Sequence, residues 1–164
     1  MVKAITSEEI LRNKIIELAL NQNKKIYEHG KHGPDSFDCA GFVWYIYHEI
    51  LDIDIYKDGI GKSTTTKIMT STYGKLTLYA ENILDKDFSL IKGGDILLFH
   101  RQSKESTEPK ENNKYPGHCG IYLGNKTFIH APRKKGYINI QNFDNSQYWT
   151  KKLVASKDIF KTIK

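Results

Sequence analysis

The segment Ser36–Val43, with the sequence SFDCAGFV, decides the fold because it places a cysteine at the start of a predicted helix. Apolar residues follow at helical intervals; they are Phe42, Val43, Ile46, Tyr47, Ile50 and Leu51. Cys39 is therefore predicted to lie in the first turn. Unpaired backbone N–H groups and the helix dipole stabilise negative charge there, and they favour the thiolate form of a cysteine. Cys39 is thus a candidate nucleophile.

Two histidines lie on a predicted hairpin in the segment His118–Ala131, with the sequence HCGIYLGNKTFIHA. A three-residue loop at 124–126 predicts two cross-strand pairs: Leu123 with Thr127, and Gly120 with His130. His118 would then lie diagonal to His130 on one face of the sheet, and Gly120 would leave space between the rings. One imidazole could therefore hydrogen-bond the other and fix its orientation.

Together the three side chains predict a thiol hydrolase. A lone cysteine in an apolar helix, or a lone histidine on a strand, is usually structural. A thiol, a base and an orienting group in one protein are the parts of a nucleophilic catalyst. We predict Cys39 as the nucleophile, His118 as the general base and acid, and His130 as the orienting residue.

The order of the predicted elements indicates an α+β domain with N-terminal helices packed on an antiparallel sheet. A capping box at Thr6-Ser7-Glu8-Glu9 begins a first helix, and the Cys39 helix is the second. Residues 52–90 are poorly patterned and predict loops with a short helix. The predicted strands span 95–99, 118–123, 127–131, 137–141 and about 149–155. At 164 residues, we expect residues 1–164 to form a single domain.

Several blocks resemble the NlpC-type cell-wall peptidases, a family of papain-like cysteine endopeptidases. Asp38–Val43 resembles the family's Asp-Cys-Ser-Gly-(Leu/Phe)-Val block, and His118–Gly124 its His-Val-Gly-Ile-Tyr-Leu-Gly block. Ile129–Ala131 matches Ile-His-Ala, Gly93–Phe99 is similar to a Pro-Gly-Asp-Leu-Val-Phe-Phe strand, and Tyr27 stands at the family's position before the cysteine.

The resemblance implies a papain-like fold and the same three catalytic roles for Cys39, His118 and His130. It also implies hydrolysis of peptidoglycan stem peptides, typically between γ-D-glutamate and a diamino acid, without a cofactor. A different papain-like amidase or acyltransferase, or a catalytically inactive wall-binding module, remains an alternative.

Acyl transfer also requires donors for a developing oxyanion. The backbone N–H of Cys39 is the first candidate, and the matching position of Tyr27 suggests its hydroxyl as the second, although an aromatic packing role is open. Asp38 either caps the helix or, as the resemblance implies, binds the free amine of a peptide substrate. Ala40 stands where the family usually has serine, which puts one substrate contact in doubt.

The second cysteine and the remaining histidines are expected to have no role in metal binding. Strand alternation directs Cys119 away from His118 and into apolar packing, so we expect a buried thiol rather than a disulfide. No recognised ligand spacing joins the candidate metal ligands; they are His29, His32, Cys39, His118 and His130.

Residues 101–116 form a polar insertion in the sequence. The insertion is either a lid or specificity loop, or a solvated loop without a function.

Charge and hydropathy restrict the partners. The chain has 25 basic and 19 acidic residues, a net charge of +6, which suits anionic wall polymers as well as a plain basic surface. No nucleic-acid-binding motif accompanies the charge, and no apolar run is long enough to cross a membrane.

The N-terminus lacks the apolar core of a signal peptide. Export by another route, a cytoplasmic location and excision from a longer product therefore all stay open. We expect a monomer acting outside the cell or at the wall.

Overall fold

The computed structural model describes residues 3–79, 86–100 and 116–161. The α-helices of this part are α1 (Ser7–Asn21), α2 (Cys39–Leu51), α3 (Thr64–Thr70) and α4 (Gln147–Lys152). The capping box of α1 is confirmed, because the Thr6 hydroxyl accepts the Glu9 N–H while the Glu9 carboxylate accepts the Thr6 N–H. Helix α2 begins at Cys39 as predicted.

The strands form one large antiparallel sheet and one small parallel pair. They are β1 (Ile26–Tyr27), β2 (Ser36–Phe37), β3 (Lys75–Tyr79), β4 (Ile96–Phe99), β5 (His118–Gly124), β6 (Thr127–His130), β7 (Asn139–Asn142) and β8 (Leu153–Asp158). The large sheet has the order β3-β8-β4-β5-β6-β7, and all its pairs are antiparallel. The predicted α+β class, with helices against an antiparallel sheet, is confirmed. The parallel pairing of β1 with β2 was not predicted.

Alternating side chains of the central strands divide the core into two clusters. Cys119 and Ile121 of β5 belong to the cluster that α1 and α2 cover. Tyr122 of β5 belongs to a second cluster with Phe99 and Trp149. Helix α2 packs directly on β5, and this contact brings the start of the helix to the strand that begins at His118.

The structure corrects three details of the predicted elements. Strand β3 lies in the segment predicted to hold only loops and helix. The predicted strand at 149–155 is the end of α4 followed by β8, so Trp149 is helical. In the hairpin, Gly120 pairs with His130 as predicted, but a bulge pairs Thr127 with Gly124 rather than Leu123.

A buried ionic group joins the first helix to the sheet. The guanidinium of Arg12 donates to Asp95 Oδ1 at 2.7 Å and to Asp158 Oδ1 at 2.6 Å. The side chains of both aspartates are 1% exposed. Such a pair adds less to stability than its Coulomb energy suggests, but removing one partner leaves an uncompensated buried charge.

Replacing Arg12 with methionine is therefore expected to lower the free energy of unfolding by about 3–5 kcal/mol. Urea denaturation measures the change. The exposed pair Lys126–Asp144, at 3.1 Å, provides the control, since Lys126→Ala should cost less than about 1 kcal/mol. Equal effects of the two substitutions would contradict a structural role for the buried group.

Candidate active site

The N-terminus of α2 is held by Asp38. Its Oδ1 atom accepts the Gly41 N–H at 2.7 Å, which caps the helix, and its Oδ2 atom accepts the Gly30 N–H at 3.0 Å. Gly41 is required at this point because an added Cβ would lie 2.2 Å from the carbonyl oxygen of Lys31. The two contacts fix Cys39 as the first residue of the helix.

The thiol of Cys39 is partly exposed and meets two polar neighbours. The nearby Cys119 thiol, together with the neighbouring ring of His118 and its charge, holds the pKa of Cys39 well below its ordinary value, although burial opposes this. The backbone N–H of Ala40 acts in the same direction. A depressed pKa favours the thiolate, which is the nucleophilic form of cysteine.

The two predicted histidines lie in direct contact. His118 Nε2 is 2.8 Å from His130 Nδ1, so Nδ1 is the remaining ring nitrogen of His118. The intervening Gly120 is needed, since a Cβ there would lie 3.1 Å from that of His130 and 2.8 Å from the carbonyl oxygen of Ile129. The structure therefore brings together Cys39, His118 and His130, in that order.

His130 is fully buried, and its surroundings keep it neutral. Burial and the charge of His118 hold the pKa of His130 well below its ordinary value. Asn139, directly opposite on β7, lies close enough to favour protonation of His130, but Nε2 of His130 has no hydrogen bond of normal geometry among the described residues. A neutral His130 can accept the Nε2–H of His118 at Nδ1, which fixes the orientation of that ring.

An aromatic wall surrounds the histidine pair. The Trp149 ring lies 5.6 Å from that of His118 and 4.8 Å from that of His130, centroid to centroid. Phe128 packs against His130 at 4.9 Å, and Phe99 against His118 at 5.7 Å. Apolar walls exclude water and strengthen the polar contacts inside them. This role of Trp149 could not be predicted from the sequence, because the residue was expected on a strand, whereas it lies in α4.

The predicted oxyanion and substrate residues have different environments. Tyr27 is half-buried, and burial, with the charges of Cys39 and Asp38 nearby, raises the pKa of its phenol, which keeps the hydroxyl a donor. Ala40 is 2% exposed and packs in the core, so almost none of its surface is open to a substrate. Its carbonyl oxygen accepts a hydrogen bond from the Tyr56 hydroxyl at 2.8 Å.

Cys119 is a free, fully buried thiol, as predicted, but it is not surrounded by apolar groups alone. Its Sγ atom donates to the backbone carbonyl oxygen of Cys39 at 3.3 Å. Burial, and the hydrogen bond with Cys39, raise the pKa of Cys119 well above its ordinary value. The alternation of side chains along β5 correctly predicts that the Cys119 thiol points away from His118. It does not indicate that α2 places Cys39 next to Cys119.

Comparison with known proteins places this arrangement in a family. The NlpC/P60 family model matches residues 24–158, which include every residue of the site. The chain belongs to the NlpC/P60 family. Among curated relatives, it is 30% identical over 158 residues to a probable endopeptidase, YafL, of Escherichia coli, covering 93% of this chain and 53% of the relative.

Two further curated relatives have names that state an activity. The murein DD-endopeptidase MepH of E. coli is 24% identical over 96% of this chain and 48% of its own length. The gamma-DL-glutamyl hydrolase of Bacillus subtilis is 26% identical over 97% of this chain and 32% of its own length. This NlpC/P60 chain thus spans about half the length, or less, of these relatives.

Solved structures of the family share the fold. NlpC2 from Trichomonas vaginalis gives a TM-score of 0.65 at 24% identity, covering 97% of this chain and 48% of that one. The NlpC/P60 domain of the peptidoglycan hydrolase SagA gives 0.59 at 20% identity, covering 90% and 97%. Similarity at these identities supports the architecture.

Three further features can be compared with the structure: membrane-spanning helices, metal sites and the polar insertion at 101–116. No helix within 3–79, 86–100 and 116–161 has the length and apolar character to cross a membrane. In the same part of the chain, no group of three or more His, Cys, Asp or Glu side chains could hold a metal ion. The predicted lid or specificity loop, 101–116, lies outside the described residues except for Pro116.

The environment of Cys39 predicts its labelling behaviour. Because its pKa is held low, alkylation by iodoacetamide should stay fast at mildly acidic pH, well below the value of about 8.5 for a free thiol. His118→Ala and Cys119→Val should each move the profile upward, since each removes a group that lowers the pKa. Peptide-resolved labelling rates between about pH 5 and 9 measure this. A free-thiol profile that neither substitution alters would show that the thiol has no such partners.

Proposed function

We propose that this chain is a cysteine endopeptidase that hydrolyses peptidoglycan stem peptides at the bond between γ-D-glutamate and a diamino acid. The observation that carries the proposal is the position of one imidazole between two groups. His118 lies near enough to the Cys39 thiol to lower its pKa, and its Nε2 atom lies 2.8 Å from His130 Nδ1. Family membership, and relatives named as endopeptidases and as a gamma-glutamyl hydrolase, support the substrate class.

The first half of the reaction is acylation of Cys39. His118 holds the thiol proton as an imidazolium, while its Nε2–H remains bonded to His130. The thiolate attacks the γ-carbonyl carbon of D-glutamate and forms a tetrahedral oxyanion. His118 then donates its Nδ1 proton to the amine of the diamino acid as the C–N bond breaks. The products of this half are a free amine and a thioester on Cys39.

Two donors are proposed for the oxyanion. The backbone N–H of Cys39 is available because the first N–H groups of a helix lack intrahelical partners. The phenol of Tyr27 stays protonated next to the thiol and can supply the second hydrogen bond. Both carboxylate oxygens of Asp38 accept hydrogen bonds from backbone N–H groups. Asp38 would therefore have to bind a substrate amine while it also caps the helix.

The second half is hydrolysis of the thioester. His118, neutral after the amine leaves, accepts a proton from water, and the resulting hydroxide attacks the thioester carbon. The collapse of this intermediate expels the thiolate, releases the γ-carboxyl group of D-glutamate, whose proton passes to the solvent, and so regenerates the thiolate–imidazolium pair. The scheme uses only residues of the chain and water.

The proposed substrate places the protein outside the cell or at the wall. The net charge of +6 would also attract anionic wall polymers and increase the local concentration of enzyme near its substrate.

Digestion of defined muropeptides, followed by mass spectrometry, tests the proposal. One substrate should contain only the γ-D-glutamyl–diamino acid bond, and a second should add a D,D-cross-link, because the relatives' names include a DD-endopeptidase. Cleavage of the first bond is expected, and Cys39→Ala provides the inactive control. Cleavage restricted to the cross-link would overturn the proposed bond.

No cleavage of either substrate, with Cys39 still labelled rapidly, would favour an amidase or acyltransferase acting on another substrate. Sedimentation of the chain with insoluble walls, without any product, would favour a wall-binding module.

A further inference from the structure

Two thiols of different elements meet in this structure. Cys39 is the first residue of α2, and Cys119 is the second residue of β5. The Cys119 Sγ atom donates to the carbonyl oxygen of Cys39 at 3.3 Å, and the Cys119 thiol is near enough to lower the pKa of Cys39. Both cysteines are free. The contact joins positions 80 residues apart, so it depends on the packing of α2 against β5.

The two thiols are unequal in access and in acidity. Cys39 is partly exposed, whereas Cys119 is fully buried. The neighbours of Cys39 hold its pKa low, and burial raises the pKa of Cys119. Oxidants react with exposed thiolates, so a dissolved oxidant would reach and oxidise Cys39 first. Cys119 would then be the only described thiol able to react with the oxidised product inside the protein.

We propose that Cys39 and Cys119 form a reversible intramolecular disulfide when a hydroperoxide oxidises the site, and that this disulfide blocks the nucleophile. In the first step, the Cys39 thiolate attacks one peroxide oxygen, the O–O bond breaks, and the departing alkoxide takes a proton to become an alcohol, or water from hydrogen peroxide. Cys39 becomes a sulfenic acid.

In the second step, the sulfur of Cys119 attacks the sulfenic sulfur. The S–S bond forms, the S–O bond breaks, and the hydroxide leaves with the proton of Cys119 as water. The two thiols together supply the two electrons that reduce the peroxide. A disulfide requires the sulfurs to approach to about 2.05 Å, so the two side chains must move towards each other before the bond forms.

This arrangement protects the nucleophile from permanent damage. Without a nearby thiol, a sulfenic acid can be oxidised further to a sulfinic acid, which dithiols do not reduce. With Cys119 in contact, condensation competes with that second oxidation. Formation of the disulfide rests on the thiol contact alone, and only the loss of activity rests on the proposed function.

Treatment of the purified chain with hydrogen peroxide tests the inference. After quenching with N-ethylmaleimide, peptide mapping without reductant should recover a cross-linked peptide pair containing Cys39 and Cys119. The intact mass should fall by two hydrogen atoms without dimer formation. Hydrolysis of muropeptides should be lost, and dithiothreitol should restore most of it.

Cys119→Val is the matched variant, because valine keeps an apolar side chain on β5 but supplies no thiol. Each protein is compared with its own untreated activity. In this variant, Cys39 should gain the mass of two oxygen atoms as sulfinic acid, and dithiothreitol should restore little activity. Recovery of free Cys119 from the oxidised wild-type chain, or equal sulfinic acid formation in both proteins, would overturn the inference.

The two proposals can fail separately. A cross-linked peptide pair in a chain that cleaves no muropeptide would leave the disulfide standing and remove the proposed hydrolase. Muropeptide cleavage by a chain whose Cys39 never cross-links would do the reverse.

Discussion

Replacement of Cys39 by alanine is expected to abolish muropeptide hydrolysis, with a loss of about 10⁴-fold or more in kcat, as found when a catalytic nucleophile is removed. The reason is chemical: the other thiol, Cys119, is fully buried and its pKa is raised, so it is a poor replacement for the nucleophile. The side chain is partly exposed, so its removal should leave the fold intact. Measured kcat, together with the urea unfolding midpoint, distinguishes loss of chemistry from loss of structure.

Cys119→Val is the matched control for this prediction. It should lower stability by no more than a few kcal/mol and retain hydrolysis, with a pH profile moved upward because a hydrogen bond to Cys39 is lost. If the Cys119 variant were inactive and the Cys39 variant active, the assignment of the nucleophile would be wrong.

His118→Ala is expected to be nearly as damaging, with a loss of about 10²–10⁴-fold, the range that general acid–base catalysis supplies. The imidazole takes part in thiolate formation and in protonation of the leaving amine, so both kcat and the pH dependence should change. Rate measurements across the pH range, with unfolding as the structural control, test this. A variant that keeps the wild-type pH profile would exclude His118 as the base.

The loss of activity on replacing His130 should depend on the new side chain. Asn or Gln can still accept a hydrogen bond from His118 Nε2, so these variants should retain more activity than His130→Ala, which also leaves a cavity at a fully buried position. Equal rates for all three variants would remove His130 from the catalytic apparatus.

The parts of the site that the sequence predicted are those set by local rules. The capping residue Asp38 and the apolar spacing after it locate the start of α2, and the period of a strand places His118 and His130 on one face. A short hairpin loop leaves few possible registers, so the pairing of Gly120 with His130 could be predicted despite the bulge next to the loop.

The parts that sequence analysis missed depend on contacts between distant segments. The predicted strand ends at about residue 155, whereas β8 continues through Lys157 to Asp158. Charged side chains are rarely buried, and no local pattern marks these two as exceptions. In the structure both are 1% exposed, since Lys157 donates to the carbonyl oxygens of Ile68 and Ser71, at 2.7 and 2.8 Å, and Asp158 binds Arg12. Burial lowers the pKa of Lys157 to about 8. The contact between Cys39 and Cys119 is equally invisible until α2 packs on β5.

The place of β8 between β3 and β4 affects how the protein is made. Every candidate catalytic residue, up to His130, is synthesised before Leu153–Asp158. Until then β3 has no partner in the large sheet, and Arg12 lacks Asp158. We expect a chain truncated after Lys152 to be rapidly digested by trypsin and to cleave no muropeptide; resistance equal to that of the full chain would contradict this. Assembly of the large sheet thus waits for Leu153–Asp158, although every candidate catalytic residue comes earlier in the chain.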